Sequence, residues 1–374
     1  MLWLVLGMVV VAFVIGWPMT ALMVRAGHSL NALDSAGVAG HVKELRPIPN
    51  IGGVAIYTAL ALPLLLGLML FQFASDDTIA RLVPAIEPHV ERIRETMPTA
   101  WAMLVGMTVL HVVGVVDDRR SLGAMPKLAA QLGVAAMMAI WFDIRLLSFV
   151  DSYFGIGPVF SIVMAMAWIV VITNAINFLD NMDGLAGGVC AIAAGLFMTA
   201  TILNAQWFIA ATLALLLGSL LAFLWFNFSP ARIFMGDGGS LVVGFVLAIL
   251  TARTTYYNPE IEGYVLGGGW YGVFMPVIVL AIPLYDCVSV TIIRLRQGRS
   301  PFVGDQQHFS HRLVERGLSK RNAVLVIWAA TAVTGIGGIS LGQLQPWQAL
   351  LVGVQTLLVL GMLAMLELSQ RRAT

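Results

Sequence analysis

An all-α, polytopic membrane fold of about eleven transmembrane helices is what this chain predicts, and three observations predict it. Hydrophobic residues make up 59% of its 374 positions and mean hydropathy is +0.89. Charged residues are only 11%, against roughly 25% in soluble domains. The apolar residues also fall in runs of about 20, the length that crosses a hydrocarbon core of about 30 Å.

Eleven such runs cover 2–24, 51–73, 99–116, 125–142, 158–176, 185–203, 207–226, 238–252, 271–293, 322–342 and 347–368. The first has no basic residues ahead of it, is too long for a signal-peptide core and is followed by Arg25, so it is expected to stay as an anchor. The stretch 74–98 carries five acids and three arginines and is interrupted by Pro84 and Pro88, which predicts a solvated excursion with one amphipathic turn. No internal repeat is visible, so residues 1–374 are expected to form one membrane domain.

Threading the runs through a bilayer sorts the 21 Lys and Arg unequally. Arg81, Arg92, Arg94, Arg145 and Arg253 fall on one side and the other sixteen on the opposite side. The positive-inside rule then puts the N-terminus outside, and the C-terminus and the sixteen-residue set in the cytoplasm. A net charge of +1 gives no basis for a nucleic-acid partner. Cys190 and Cys287 lie in apolar spans without metal or redox spacing and read as packing residues.

The cytoplasmic connections 25–50, 117–127, 174–188, 227–240 and 294–321 hold the residues that suit chemistry. Asp117 and Asp118 end the third span, where the negative end of the helix dipole disfavours carboxylates unless a cation binds. Neighbouring helix positions differ by about 100°, so the two acids are expected to do different work. Lys127 follows and can hold phosphate or neutralise an aspartate. In NAINFLDNMDG, Asn174/Asn177 and Asp180/Asp183 are i,i+3 pairs, and all four converge only if the backbone breaks near Asn181, which Gly184 makes feasible. In FNFSPARIFMGDGGS, the glycines around Asp237 predict a loop feeding a helix N-terminus, a geometry suited to diphosphate. Asp237 reads as a ligand to a hard cation such as Mg²⁺, and Phe234 as either an aromatic that stacks on a base or an interfacial residue. The 294–321 loop has seven basic and two acidic residues. His308, His311 and Arg312 read as phosphate contacts, while Arg294, Arg296, Lys320 and Arg321 read equally well as lipid-touching topology determinants.

Taken in order, VVDDRR, NAINFLDNMDGLAGG, FMGDGGS and SPFVGDQQHFSHRL resemble the polyprenyl-phosphate N-acetylhexosamine-1-phosphate transferases of glycosyltransferase family 4. The resemblance runs from RPIPNIGG at 46–53 to about Leu318. It implies transfer of a sugar-1-phosphate, GlcNAc-1-phosphate above all, from a UDP-sugar to polyprenyl phosphate with release of UMP. It also implies Mg²⁺ as cofactor, with Mn²⁺ as a substitute, and membrane lipids as surroundings; it is compatible with a homodimer. By motif, Asp117 resembles the acid that deprotonates the lipid phosphate, Asp118 its neighbour near the metal, and Asp237 the metal ligand. Asn174, Asn177, Asp180, Asp183 and Phe234 resemble the nucleotide-sugar set; Lys127, His308, His311 and Arg312 resemble the phosphate contacts. Ser310 stands where the UDP-GlcNAc branch usually carries a further histidine, so restoring histidine there is expected to be tolerated. A transferase using another UDP-sugar, such as UDP-MurNAc-pentapeptide, is the alternative. An ion-coupled transporter and an intramembrane aspartyl protease explain fewer of the polar residues, the latter resting on Asp237 and the Tyr285–Asp286 pair.

Overall fold

The computed structural model describes residues 1–30, 32–33, 47–148, 150–151, 155, 157–254, 270–300 and 307–368. Most of the 25–50 connection, including Arg46, and residues 301–306 of the histidine-bearing loop lie outside the described residues. Every named element among the described residues is a helix. They are α1 (Leu2–Ser29), α2 (Gly52–Phe73), α3 (Asp76–Leu82), α4 (Val90–Arg119), α5 (Ala124–Trp141), α6 (Val159–Leu179) and α7 (Leu185–Leu203), followed by α8 (Trp207–Asn227), α9 (Asp237–Thr254), α10 (Met275–Val279), α11 (Ala281–Arg296), α12 (Phe309–Glu315), α13 (Lys320–Gly338) and α14 (Pro346–Leu368). Ten helices among the described residues are long and apolar enough to cross a membrane, and an eleventh span is counted if one bent pair is taken together. The chain is an all-α polytopic membrane protein.

Two expectations need correction. The ninth run is not one straight helix: Tyr271–Val279 and Ala281–Arg296 meet at Leu280 with a 70° bend. Pro283 explains the position of the break, because it has no N–H for the carbonyl of Val279 and its ring clashes there. The 74–98 excursion is also more ordered than its prolines predict. Ser75 caps α3 by accepting from the Thr78 N–H, a 3-10 turn covers Pro84–His89, and α4 begins at Val90, nine residues before the predicted span. Arg94 ties this segment down by donating to the Ala74 carbonyl at 2.9 Å and to Asp76 at 2.6 Å.

Lipid tails are as apolar as leucine, so helix association here relies on close packing rather than on a hydrophobic drive. The most buried span is α9, which packs against α2, α4, α6, α7 and α8. Glycines permit the approach at its first turn. A Cβ on Gly53 of α2 would fall 2.2 Å from the Gly239 nitrogen, and one on Gly114 of α4 would fall 2.4 Å from the Asp237 carbonyl oxygen. These two positions bring the ends of α2 and α4 onto the residues that carry the candidate chemistry.

Candidate active site

The last turn of α4, the first turn of α5 and the first turn of α9 meet at one end of the helical assembly. Lys127 Nζ donates to Asp117 Oδ2 at 2.9 Å and to Asp237 Oδ2 at 2.6 Å. Asp117 also accepts the Leu122 N–H at 2.7 Å, which folds the α4–α5 connection back over it. Asn177 Nδ2 donates to Asp237 Oδ1 at 2.8 Å and to Ser240 Oγ at 2.9 Å, tying α6 to the same point. The side chains of Asp117, Lys127 and Asp237 keep 12%, 21% and 22% of their exposure, enough for a ligand to reach them.

The two adjacent aspartates diverge as their helical spacing requires. Asp118 turns onto the start of α9, accepting the N–H groups of Asp237 at 2.9 Å and Gly238 at 3.0 Å, and Asn50 donates to it at 3.1 Å. Gly236, at φ +68°, leaves the space: a Cβ there would sit 2.5 Å from Asp118 Oδ2. This corrects the diphosphate expectation for the α9 N-terminus. Its first two amide donors are satisfied by Asp118, while those of Gly239 and Ser240 turn back to the Gly236 carbonyl. His111, given no role from the sequence, supports the same turn. Its Nδ1 lies 2.7 Å from the Gly238 carbonyl oxygen, and its ring stacks on Tyr57 at 4.3 Å.

The chain breaks after Leu179, as the NAINFLDNMDG pattern requires, and restarts as α7 from Gly184 at φ +76°. The four polar residues do not converge, however. Asn177 reaches Asp237. Asn174 pairs with the buried Gln131 of α5. Asp183 is buried and accepts the Ala231 N–H at 3.1 Å. Asn227 completes that anchor, accepting from the Gly184 N–H and donating to the Ile233 carbonyl. Asp180 caps the end of α6 and is half-buried. Asp183 and Asn227 thus fix the segment that carries Phe234. The Phe234 N–H donates to the Pro49 carbonyl at 2.8 Å, its carbonyl accepts from the Gly52 N–H at 2.9 Å, and its ring is half-buried.

The histidine-bearing segment packs against the same α6–α7 turn. His308 Nδ1 lies 2.9 Å from Asp286 Oδ2, and the Phe309 N–H donates to Asp286 Oδ1 at 2.7 Å. Ser310 Oγ donates to Asn181 Oδ1. His311 is half-buried and held below the ordinary histidine value, first by desolvation and then by the nearby His308 and Lys320, with Asp286 and the Asn181 backbone opposing. It is therefore a neutral hydrogen-bonding group at pH 7. The Arg312 guanidinium donates to Glu367 at 2.9 Å, to Ser289 at 2.9 Å and to the Gln307 carbonyl. It locks α12 to α14 and α11. Arg294 is also buried rather than lipid-facing, over the Phe178 ring at 5.5 Å.

Sequence reasoning missed Asn50, Gly53 and His111, and gave Asp286 a part only in the protease alternative. Asp286 had a signal, since a carboxylate within an apolar span requires a partner, and the histidine 22 residues on is that partner. Among the described residues no three His, Cys, Asp or Glu groups come together as a complete metal cage.

Residues 100–255, which include the whole Asp117–Lys127–Asn177–Asp237 cluster, match the family described as Glycosyl transferase family 4. Over 254 residues the chain is 32% identical to a Bacillus subtilis (strain 168) protein named "Probable undecaprenyl-phosphate N-acetylglucosaminyl 1-phosphate transferase", covering 67% of this chain and 68% of that one. It is 31% identical over 346 residues to the decaprenyl-phosphate N-acetylglucosaminephosphotransferase of Mycobacterium leprae (strain TN), covering 88% and 82%. It is 28% identical over 301 residues to the undecaprenyl-phosphate alpha-N-acetylglucosaminyl 1-phosphate transferase of Escherichia coli (strain K12), covering 78% and 72%. With identity above 30% to the first two of these relatives across two thirds or more of each, and with the clustered aspartates inside the matched region, this chain is a membrane enzyme that belongs to glycosyl transferase family 4.

Proposed function

We propose that the protein transfers GlcNAc-1-phosphate from UDP-GlcNAc to undecaprenyl or a similar polyprenyl phosphate, releasing UMP and starting a cell-envelope polysaccharide. An oxygen of the lipid phosphate attacks the β-phosphorus of the UDP-sugar. The bond from that phosphorus to the bridging oxygen breaks, and UMP leaves with the electron pair. The observation that carries this reading is the Lys127 ammonium shared by Asp117 and Asp237 at the ends of three spans, in a chain whose relatives are named for this transfer.

The charge balance supports Mg²⁺ as cofactor, with Mn²⁺ as a substitute. Asp117, Asp118 and Asp237 against Lys127 leave a formal charge of −2, which repels a diphosphate and a lipid phosphate. Like charges about 4 Å apart at a partly buried site cost on the order of 4 kcal/mol. Two carboxylates facing one cation fit a metal that keeps phosphate oxygens and water among its ligands. Asp237 would hold it, with Asp117 across from it. Bound there, Mg²⁺ would neutralise phosphate charge. Asp118, with both oxygens on amide donors, positions the α9 turn instead of ligating. Asp117 accepts the proton of the lipid phosphate, and Lys127 exchanges a carboxylate partner for a substrate phosphate. Asn177 and Asp180 meet the nucleotide-sugar, Phe234 stacks on uracil, and His308 and His311 contact phosphate.

We read residues 1–374 as one catalytic membrane domain of the inner membrane with this site facing the cytoplasm, as the sixteen-to-five distribution of basic residues supports. The decisive experiment offers the purified protein a panel of UDP-sugars with undecaprenyl phosphate and measures UMP. Release with UDP-GlcNAc, abolished by EDTA and restored by Mg²⁺, is expected. Release with UDP-MurNAc-pentapeptide alone would move the protein to the other branch, and no UMP from any donor would overturn the reading.

A further inference from the structure

The helices that deliver the aspartate cluster at one end frame a cavity at the other. It is lined by the start of α4, the turn after α5, the start of α8 and the end of α9, and its volume is about 430 Å³. Eighteen residues of α9 rise about 27 Å, so the cavity lies one hydrocarbon thickness from Asp237, at the opposite membrane face.

Arg92, Arg145 and Arg253 line it together with Phe142, Trp207 and Phe208. Only five of the 21 basic residues fall on this face, and three of them converge here. Asp143, the acid among the lining residues, is ion-paired with Arg145 at 2.5 Å, so the lining keeps a formal charge of +2. Two polar atoms of its lining residues, Arg145 Nε and Gln206 Oε1, are buried without a hydrogen-bond partner among the described residues. One is a cationic donor and the other an acceptor, so a complementary ligand carries both an anionic oxygen and a hydroxyl or amine hydrogen. Guanidinium groups match phosphate oxygens in pairs, and tryptophan favours the headgroup level of a bilayer.

We infer that this cavity binds the headgroup of an anionic phospholipid. The phosphate diester sits against the arginines, a headgroup hydroxyl donates to Gln206 Oε1, and the first chain carbons lie on Phe142, Trp207 and Phe208. Phosphatidylglycerol has all three features, whereas phosphatidylcholine lacks both the net charge and the hydroxyl. The inference does not depend on which sugar the enzyme transfers.

Native mass spectrometry of the full-length protein, with phosphatidylglycerol and phosphatidylcholine of matched acyl chains added in detergent, tests it. Wild type is expected to retain phosphatidylglycerol about tenfold better, the scale of a charge-assisted hydrogen bond. The preference is expected to vanish in a double variant, Arg145→Gln with Arg253→Gln, and in Thr96→Trp, which fills the cavity without removing charge. Monodisperse elution identifies which variant folds, and either one decides. Equal retention of the two lipids, an unchanged preference in a folded variant, or complete displacement of the lipid by inorganic phosphate at constant ionic strength would each overturn the inference.

Discussion

Asp286 and His308 form a buried carboxylate–imidazole pair, with Nδ1 2.9 Å from Oδ2 and side-chain exposures of 1% and 7%. Facing a carboxylate, Nδ1 carries the proton, so Nε2 is the nitrogen not engaged by Asp286. The same carboxylate accepts the Phe309 N–H, which fixes the start of α12. An amide at position 286 offers one oxygen and one NH₂ where the native site has two acceptors. With Phe309 holding the oxygen, the NH₂ faces Nδ1 and forces the proton onto Nε2. Asp286→Asn is therefore expected to fold and to move His308 to the other tautomer in ¹⁵N-histidine spectra, with turnover falling about 10²-fold, the range of a general acid–base or positioning contact. Asp286→Ala leaves a buried imidazole and an amide unpaired and is expected to cost about 3–5 kcal/mol. Native tautomer and turnover in Asp286→Asn would remove the positioning role.

Asp118 and Asp237 differ in what their loss should do. Asp118→Ala leaves the Asp237 and Gly238 amides and Asn50 without their acceptor, and a lost cap with unsatisfied donors costs about 1–3 kcal/mol. Its melting temperature in detergent should fall by several degrees. Asp237→Asn keeps the Asn177 contact and the backbone bonds but turns its NH₂ toward Lys127, which stays paired with Asp117, so its melting temperature should fall less than that of Asp118→Ala while UMP release drops about 10²- to 10³-fold, the scale of a lost electrostatic contact to the reacting group. An Asp118→Ala protein as heat-stable as wild type would disprove the cap.

The spans were readable because an apolar run of about 20 residues has one use in a bilayer, and Asp117, Asp118 and Asp237 because carboxylates at span ends need a reason. What the sequence hid was direction. The roughly 100° between Asp117 and Asp118 says that they diverge but not which way, and only the packed helices send Asp118 to a backbone and Asp117 to a lysine. Arg312 reads as a phosphate contact in a cationic loop, and only the return of α14 brings Glu367 to it. The break at Leu280 is invisible to hydropathy, although Pro283 marks it. The Gly53–Gly239 contact joins helices 186 positions apart, which no local pattern encodes.

His311 gives the stability a pH dependence of known sign. Burial holds its folded value below the ordinary value of about 6.5. Between that depressed value and 6.5 the unfolded chain binds more protons than the folded one. Stability therefore falls as pH drops through this window and is indifferent to His311 above it. Melting temperatures of wild type and His311→Gln, recorded from pH 8 to pH 5, should run parallel above pH 6.5, with the wild-type curve falling more steeply below. Curves that stay parallel over the whole range would remove His311 as the source.

Ser310 tests how far a family pattern transfers to this chain. Restoring histidine at 310 looks harmless in the sequence, but Ser310 is buried and its hydroxyl donates to Asn181 in the α6–α7 turn. Ser310→Ala removes that donor and should cost about 1 kcal/mol. Ser310→His must fit a ring into filled space beside Phe309 and Asn181, and overpacking of this kind costs about 1–3 kcal/mol. The expected order of melting temperatures is wild type, then Ser310→Ala, then Ser310→His. The histidine variant should also lose turnover, because displacing Asn181 moves the turn between Asp180 and Asp183. A Ser310→His protein with wild-type stability and kinetics would show that this turn yields to the larger side chain and that the Ser310–Asn181 bond does not fix it.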